Sequence, residues 1–329
     1  MTRNPAIGVM FVREYKPATI PDYARMVERT GLDDLWIVED AFFNGGISAA
    51  SVALAVTERI TVGIGILPAV VRNAAYTAMD LATLAQIFPG RLQIGFGHGV
   101  ADWIRQVGAF PTSQMAALED VTTAVRRLLR GDEVTMHGRH VHLDRVRLDH
   151  RPDFVPPVSL GVTGPKSMEL SGRVADGTIM VELTGPALVR HHLERIQAGA
   201  AAVGRSQEPH QITVFAYWMQ DDNGDRARER IRPNLARRVN PEGLRDLAVP
   251  GFADQARAWI DEGGTDLLAD RMPREWIDEI AVAGTPADCA AAIDRLAAAG
   301  ANRIGLVPPA GMSIAEVERW SRDLVAARS

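Results

Sequence analysis

Eight times along the chain a short apolar run is followed by a segment with helical spacing, and this alternation restricts the possible folds more than any other feature. The runs fall at 7–12, 34–38, 61–67, 91–96, 158–162, 178–181, 212–219 and 302–307. They are short, and they lack the polar alternation of a strand wetted on one face, so they read as strands buried on both sides. The intervening segments carry their apolar residues at helical intervals. Tyr23, Met26 and Val27 recur before Gly31, and Met79, Leu81, Leu84 and Ala85 recur before Pro89 and Gly90. Buried strands separated by helices form a parallel sheet. Eight such units predict a (β/α)8 TIM barrel of the α/β class, one domain over residues 1–329, with an open doubly wound sheet as the fallback.

Two stretches break the rhythm. Residues 133–150 read as a polar hairpin before strand five. Its His140 and His142 are expected to share a strand face, but no carboxylate or thiolate completes a ligand set, so no metal is expected. Residues 221–283 are helical and charged, punctuated by Pro233, Pro241, Pro250 and Pro273, and read as an insertion after strand seven.

Composition narrows the partners. Thirty-six basic and forty-one acidic residues give a net charge of -5, which disfavours a nucleic-acid binder. No apolar run approaches the ~20 residues of a membrane helix, and no signal peptide is visible, so a cytoplasmic protein with a small-molecule substrate is expected. Cys289 is the single cysteine, which excludes an internal disulfide.

In such a barrel the chemistry sits just after the strands. The candidates there are Arg13, Glu14, Glu39, Asp40, Gly65, Ile66, His98, Gly99, Thr163 to Lys166, Glu182 and Trp218. The stretch Gly161-Val-Thr-Gly-Pro-Lys-Ser-Met168 reads as strand, tight turn and helix start. Pro165 suits the first helical position, which would leave the amides of Lys166, Ser167 and Met168, the helix dipole and the Lys166 ammonium as a seat for an anion. The loop Gly95-Phe-Gly-His-Gly99 is a poor dinucleotide fingerprint, and its glycines are expected to let backbone approach a flat ligand.

Four motifs in order carry a resemblance to a known family: Val62-Gly-Ile-Gly-Ile-Leu-Pro68, Thr83-Leu-Ala-Gln-Ile-Phe-Pro-Gly-Arg-Leu-Gln-Ile-Gly-Phe-Gly97, Gly164-Pro-Lys-Ser-Met-Glu-Leu-Ser-Gly-Arg-Val-Ala-Asp-Gly177 and Gly284-Thr-Pro-Ala-Asp288. The chain resembles the bacterial luciferase-like superfamily, and within it the coenzyme F420-dependent branch typified by methylenetetrahydromethanopterin reductase. The resemblance implies a deazaflavin ring over the barrel mouth, backed by a cis peptide between Gly65 and Ile66. It implies a phosphate held by Thr163, Gly164, Pro165, Lys166 and Ser167, with Gly97, His98, Gly99, Val181 and Glu182 also lining the cofactor.

Asp40 matches a position beside the redox centre, and Asp40, His98, Glu14 and Glu182 are the candidate catalytic acids and bases. Members that oxidise glucose 6-phosphate carry a His where Ala41 stands and a Glu near Val100, so that reaction is not expected. The implied activity is hydride transfer from reduced F420 to an activated C=C, C=N or C=O bond. An FMN-dependent monooxygenase using oxygen is the alternative, and a non-catalytic flavin-binding barrel is the alternative of another class. A homodimer is expected through apolar residues of helices two and three, including Ile47, Val52, Leu81 and Leu84.

Overall fold

In the computed structural model, which describes residues 4–181 and 183–328, the eight apolar runs close into a parallel barrel. The strands are β1 (Ala6–Phe11), β2 (Asp34–Ile37), β3 (Thr61–Pro68), β4 (Leu92–Gly97), β5 (Val158–Gly161), β6 (Gly177–Met180), β7 (Gln211–Gln220) and β8 (Arg303–Val307). Closure is direct, since β1 pairs with both β2 and β8 and every neighbouring pair is parallel.

The outer helices are α1 (Ile20–Thr30), α2 (Gly46–Ala55), α3 (Ala74–Ile87), α4 (Gln114–Leu129), α5 (Pro165–Val174), α6 (Pro186–Ala202), α7 (Pro286–Ala298) and α8 (Ile314–Arg328). Their ends follow local chemistry. Gly31 stops α1 with φ 83, Asn73 caps α3 by accepting from Ala75 and Tyr76, and Thr285 with Asp288 forms a capping box on α7.

The barrel interior is filled by two rings that need glycines opposite them. A β-carbon on Gly63 would lie 2.3 Å from the Trp36 ring, and one on Gly65 would lie 2.6 Å from Phe215. Above this pair Met10, Val12, Ile179 and Val307 are buried, and Tyr15, Val38, Ile66 and Tyr217 pack on them half-covered, forming the floor of the mouth.

Four expectations change. The 221–283 insertion is built from helices Gly224–Ala236, Pro241–Leu247, Ala253–Arg271 and Arg274–Ile280, but it ends in a short strand, Val282–Gly284, that pairs in parallel with the end of β7. A further helix, Ala101–Gln106, follows β4. The hairpin is present as Val134–His137 and His142–Val146, yet His140 lies in its turn, where its N–H donates to Asp120, so it shares no strand face with His142. Leu81 and Leu84 are buried in the core, whereas Tyr76, Met79 and Ile87 are the exposed apolar residues of α3 and Val52 that of α2. Apolar residues surround α3 on all sides, so periodicity alone could not choose its outer face.

Candidate functional site

The turn between β5 and α5 forms one wall of the mouth. Gly164 has φ 82 and ψ 152, a conformation that a side chain would strain, and Pro165 starts the helix without needing an N–H partner. No side chain caps α5. The Met168 N–H is already bonded to the Gly164 carbonyl at 3.1 Å, so this amide is not open to a ligand as expected. The amides of Lys166 and Ser167 precede that first bond and lie at the positive end of the helix dipole. Lys166 is exposed and Thr163 half-buried, while the Ser167 hydroxyl is engaged with Met115 Sδ at 3.4 Å.

The short helix Pro241–Leu247 of the insertion reaches the same place. A β-carbon on Gly164 would stand 3.5 Å from Arg245 Nη1 and 3.6 Å from its Cζ, so the guanidinium lies against the turn. Its recorded acid partner is Asp246, 3.4 Å from Nε. Burial raises the Asp246 carboxyl above its usual range, and Arg245 opposes that shift. Nearby on α6, His192 is buried with Nδ1 lacking a partner among the described residues, and its pKa is pushed down to about 4 by burial, with the charges of His191 and Arg245 adding to the effect.

The Gly65–Ile66 peptide is cis, and the pairing of β3 with β4 shifts register between Ile64 and Leu67. The Ile66 side chain turns toward β4 and β5. A β-carbon on Gly161 would lie 2.4 Å from Ile66 Cγ2, and one on Gly97 would lie 2.9 Å from Ile66 Cδ1. Gly95 is similarly filled by Ile179 and Ile66. The glycines of β4 therefore make room for protein side chains. Gly99, at φ 69, packs against Ile104 and Pro68.

Across the mouth, Arg13 joins the carboxylates that follow β1 and β2. It donates to Asp40 at 3.0 Å and to Glu14 at 3.2 Å, and its guanidinium lies 5.1 Å from the Phe43 ring centroid and 5.9 Å from that of Trp103. Both carboxylates are partly exposed, so these pairs add little stability. Glu39 is committed elsewhere, bound by Arg72 at 2.7 Å and by the Gly46 N–H at 2.6 Å where α2 begins. His98 is half-buried, and burial lowers its imidazolium below the usual range, with Glu242 of the insertion offsetting part of the shift. It is therefore neutral near pH 7 and able to accept or pass on a proton.

Val181 is half-buried beside Leu183, which has φ 67; Glu182 lies outside the described residues. Trp218 is corrected. It lies within β7, fully buried, and packs outward against Trp320 with ring centroids 5.2 Å apart. Its neighbour Tyr217 faces the mouth floor and accepts a hydrogen bond from Arg238 Nε at 2.7 Å. One residue of strand register separates the two faces. Arg245 and Glu242 were missed because they stand some eighty residues from Gly164 in a segment whose path no local pattern gives; the Pro241 helix start was the available signal.

The barrel matches known proteins along most of its length. The chain is 28% identical over 312 residues to 5,10-methylenetetrahydromethanopterin reductase of Methanolobus tindarius, covering 92% of this chain and 94% of that one. It is 26% identical over 284 residues to F420-dependent glucose-6-phosphate dehydrogenase of Nakamurella multipartita, covering 81% and 83%. The solved coenzyme F420-dependent tetrahydromethanopterin reductase of Methanopyrus kandleri superposes with a TM-score of 0.81 over 98% of this chain and 99% of that one, at 20% identity, a likeness of fold. Residues 6–303 match the luciferase-like monooxygenase family, and the chain belongs to it.

Proposed function

We propose that the chain is an oxidoreductase that holds coenzyme F420 over the barrel mouth and moves a hydride between the deazaflavin and a small organic substrate, reducing an activated C=C, C=N or C=O bond. The observation that carries this reading is the donor set at the start of α5. Two amides and the Arg245 guanidinium lie at a turn where Gly164 leaves no side chain in the way, and the exposed Lys166 stands in the first turn of the same helix. Such a set suits a phosphorylated tail, and the relatives named for F420 point to the coenzyme that bears it.

When bound, the coenzyme supplies a carbon that gives up hydride and reacts sluggishly with oxygen. This chain's residues do the rest. Thr163, Gly164, Lys166 and Ser167 hold the tail, with Pro165 fixing the turn. Gly65 and Ile66 back the ring, and Gly97, Gly99 and Val181 complete the surround. Asp40 and His98 serve the proton, with Arg13 orienting Asp40, and Glu14 a weaker candidate because it is exposed and held by the same arginine. Ala41 and Val100 offer none of the groups implied for sugar-phosphate oxidation.

The test is a titration of the purified protein with F420 and with FMN, read by melting temperature, followed by single-turnover oxidation of pre-reduced coenzyme by an added hydride acceptor bearing an activated C=C, C=N or C=O bond, with and without oxygen. F420 is expected to raise the melting temperature and its oxidation to be indifferent to oxygen. Tight FMN binding with oxygen-dependent turnover would instead establish the monooxygenase alternative and sink this proposal.

The assembly we propose is a homodimer through the exposed apolar stripe Tyr76, Met79 and Ile87, flanked by Val52. Met79→Glu is expected to yield monomers in sedimentation velocity. An unchanged dimer would move the interface elsewhere, and a monomeric parent would end the idea.

A further inference from the structure

A helix start of this kind is common in α/β barrels, and what sets this one apart is the cation laid over it from a distant part of the chain. Arg245 approaches Gly164 through Nη1, Cζ and Nη2, which a β-carbon there would meet at 3.5, 3.6 and 3.8 Å. Only Nε is turned toward an acid, Asp246, and at 3.4 Å this is a loose pair. The Nη edge has no acceptor among the described residues. The other cation of the seat, Lys166, is an exposed point charge on a flexible stem. A guanidinium presents a planar fork suited to two oxygens of one phosphate, and the amides of Lys166 and Ser167 stand at the same helix start.

We infer that Arg245 is the residue by which this protein selects a phosphorylated coenzyme over the same ring system without phosphate. The inference rests on the proposed coenzyme-binding reading and adds to it the group that discriminates. Gly164 is required for two reasons on this account, since a side chain there would strain the turn and also push the fork off the phosphate. The selectivity element is carried by the insertion after β7, outside the barrel that frames the ring. Losing Arg245 therefore changes recognition of the tail and leaves the ring's surroundings unaltered.

The experiment compares the parent protein with Arg245→Met and Arg245→Lys, each titrated with oxidised F420 and with its ribityl deazaflavin fragment, which lacks the phosphodiester, and followed by fluorescence. The Arg245 side chain is 46% exposed, so Arg245→Met is expected to fold with a melting temperature close to the parent's. Affinity of Arg245→Met for F420 is expected to fall about 10- to 100-fold, the loss of a charge-assisted hydrogen bond, while affinity for the fragment stays the same. Arg245→Lys should keep part of the preference, having charge without the fork. Equal weakening toward both ligands, or no change toward either, overturns the inference while leaving the coenzyme reading intact. A parent protein that binds neither ligand overturns the coenzyme reading, and this inference with it.

Discussion

Gly172→Ala is expected to destabilise the fold by about 3 kcal/mol and to lower the melting temperature by roughly 5–10 °C. Helices α5 and α6 meet backbone to backbone. A β-carbon on Gly172 would fall 2.0 Å from the Ile196 carbonyl oxygen and 2.9 Å from the Ala200 nitrogen, and one on Gly199 would fall 2.0 Å from the Glu169 carbonyl oxygen. None of these is the end of a flexible side chain, so accommodation requires moving a helix. Alanine improves helix propensity over glycine by about 1 kcal/mol, and that gain is smaller than the cost of separating two packed helices. Because the first turn of α5 is the proposed anion seat, coenzyme affinity should drop with stability. A Gly172→Ala protein that melts at or above the parent temperature would show that the two helices are not in contact as described.

Asp40→Ala is expected to slow oxidation of pre-reduced coenzyme by about 100-fold, the scale of a lost general acid or base, while melting nearly unchanged. Two effects have to be separated. Removing the carboxylate also frees Arg13, but that ion pair is one-third to two-fifths exposed and contributes below about 1 kcal/mol, so stability is the wrong place to look. Absorbance of the coenzyme under single-turnover conditions isolates the proton step. His98→Ala should slow the same step, since the imidazole is the proposed relay. If both variants turn over at the parent rate, neither residue belongs to the mechanism and the proton comes from another group or from water.

The barrel was legible because burial on both faces leaves a mark that survives in a single sequence: a short apolar run with turn residues at each end. What could not be read were contacts made by register and by distant segments. Val282–Gly284 is three residues long and carries no strand signal beyond its apolar character. Helix Ala101–Gln106 begins after Val100, which offers no capping side chain. Gly95 and Gly97 announced a close approach, and a β-carbon on either would meet Ile66, a neighbour that no local pattern gives. Trp218 and Tyr217 exchange roles because both lie inside strand β7, which runs to Gln220, and their side chains take opposite faces. The turn at Gly164 was readable from Gly-Pro chemistry except for the Met168 amide, which the Gly164 carbonyl takes up, whereas the guanidinium against it was not, since its position is fixed by the packing of the insertion.

Arg13 has a consequence for how the mouth meets a ligand. One arginine shared between Glu14 and Asp40 leaves an excess negative charge beside β1 and β2, while Lys166 and Arg245 gather positive charge beside β5, on the far side of the ring of strands. The opening is thus polarised across its diameter. A molecule with an acidic tail has one favoured direction of entry, and the reverse orientation would set that tail against two carboxylates. The same polarity leaves the β1 and β2 side, lined by Phe43 and Trp103, to whatever reacts at the other end.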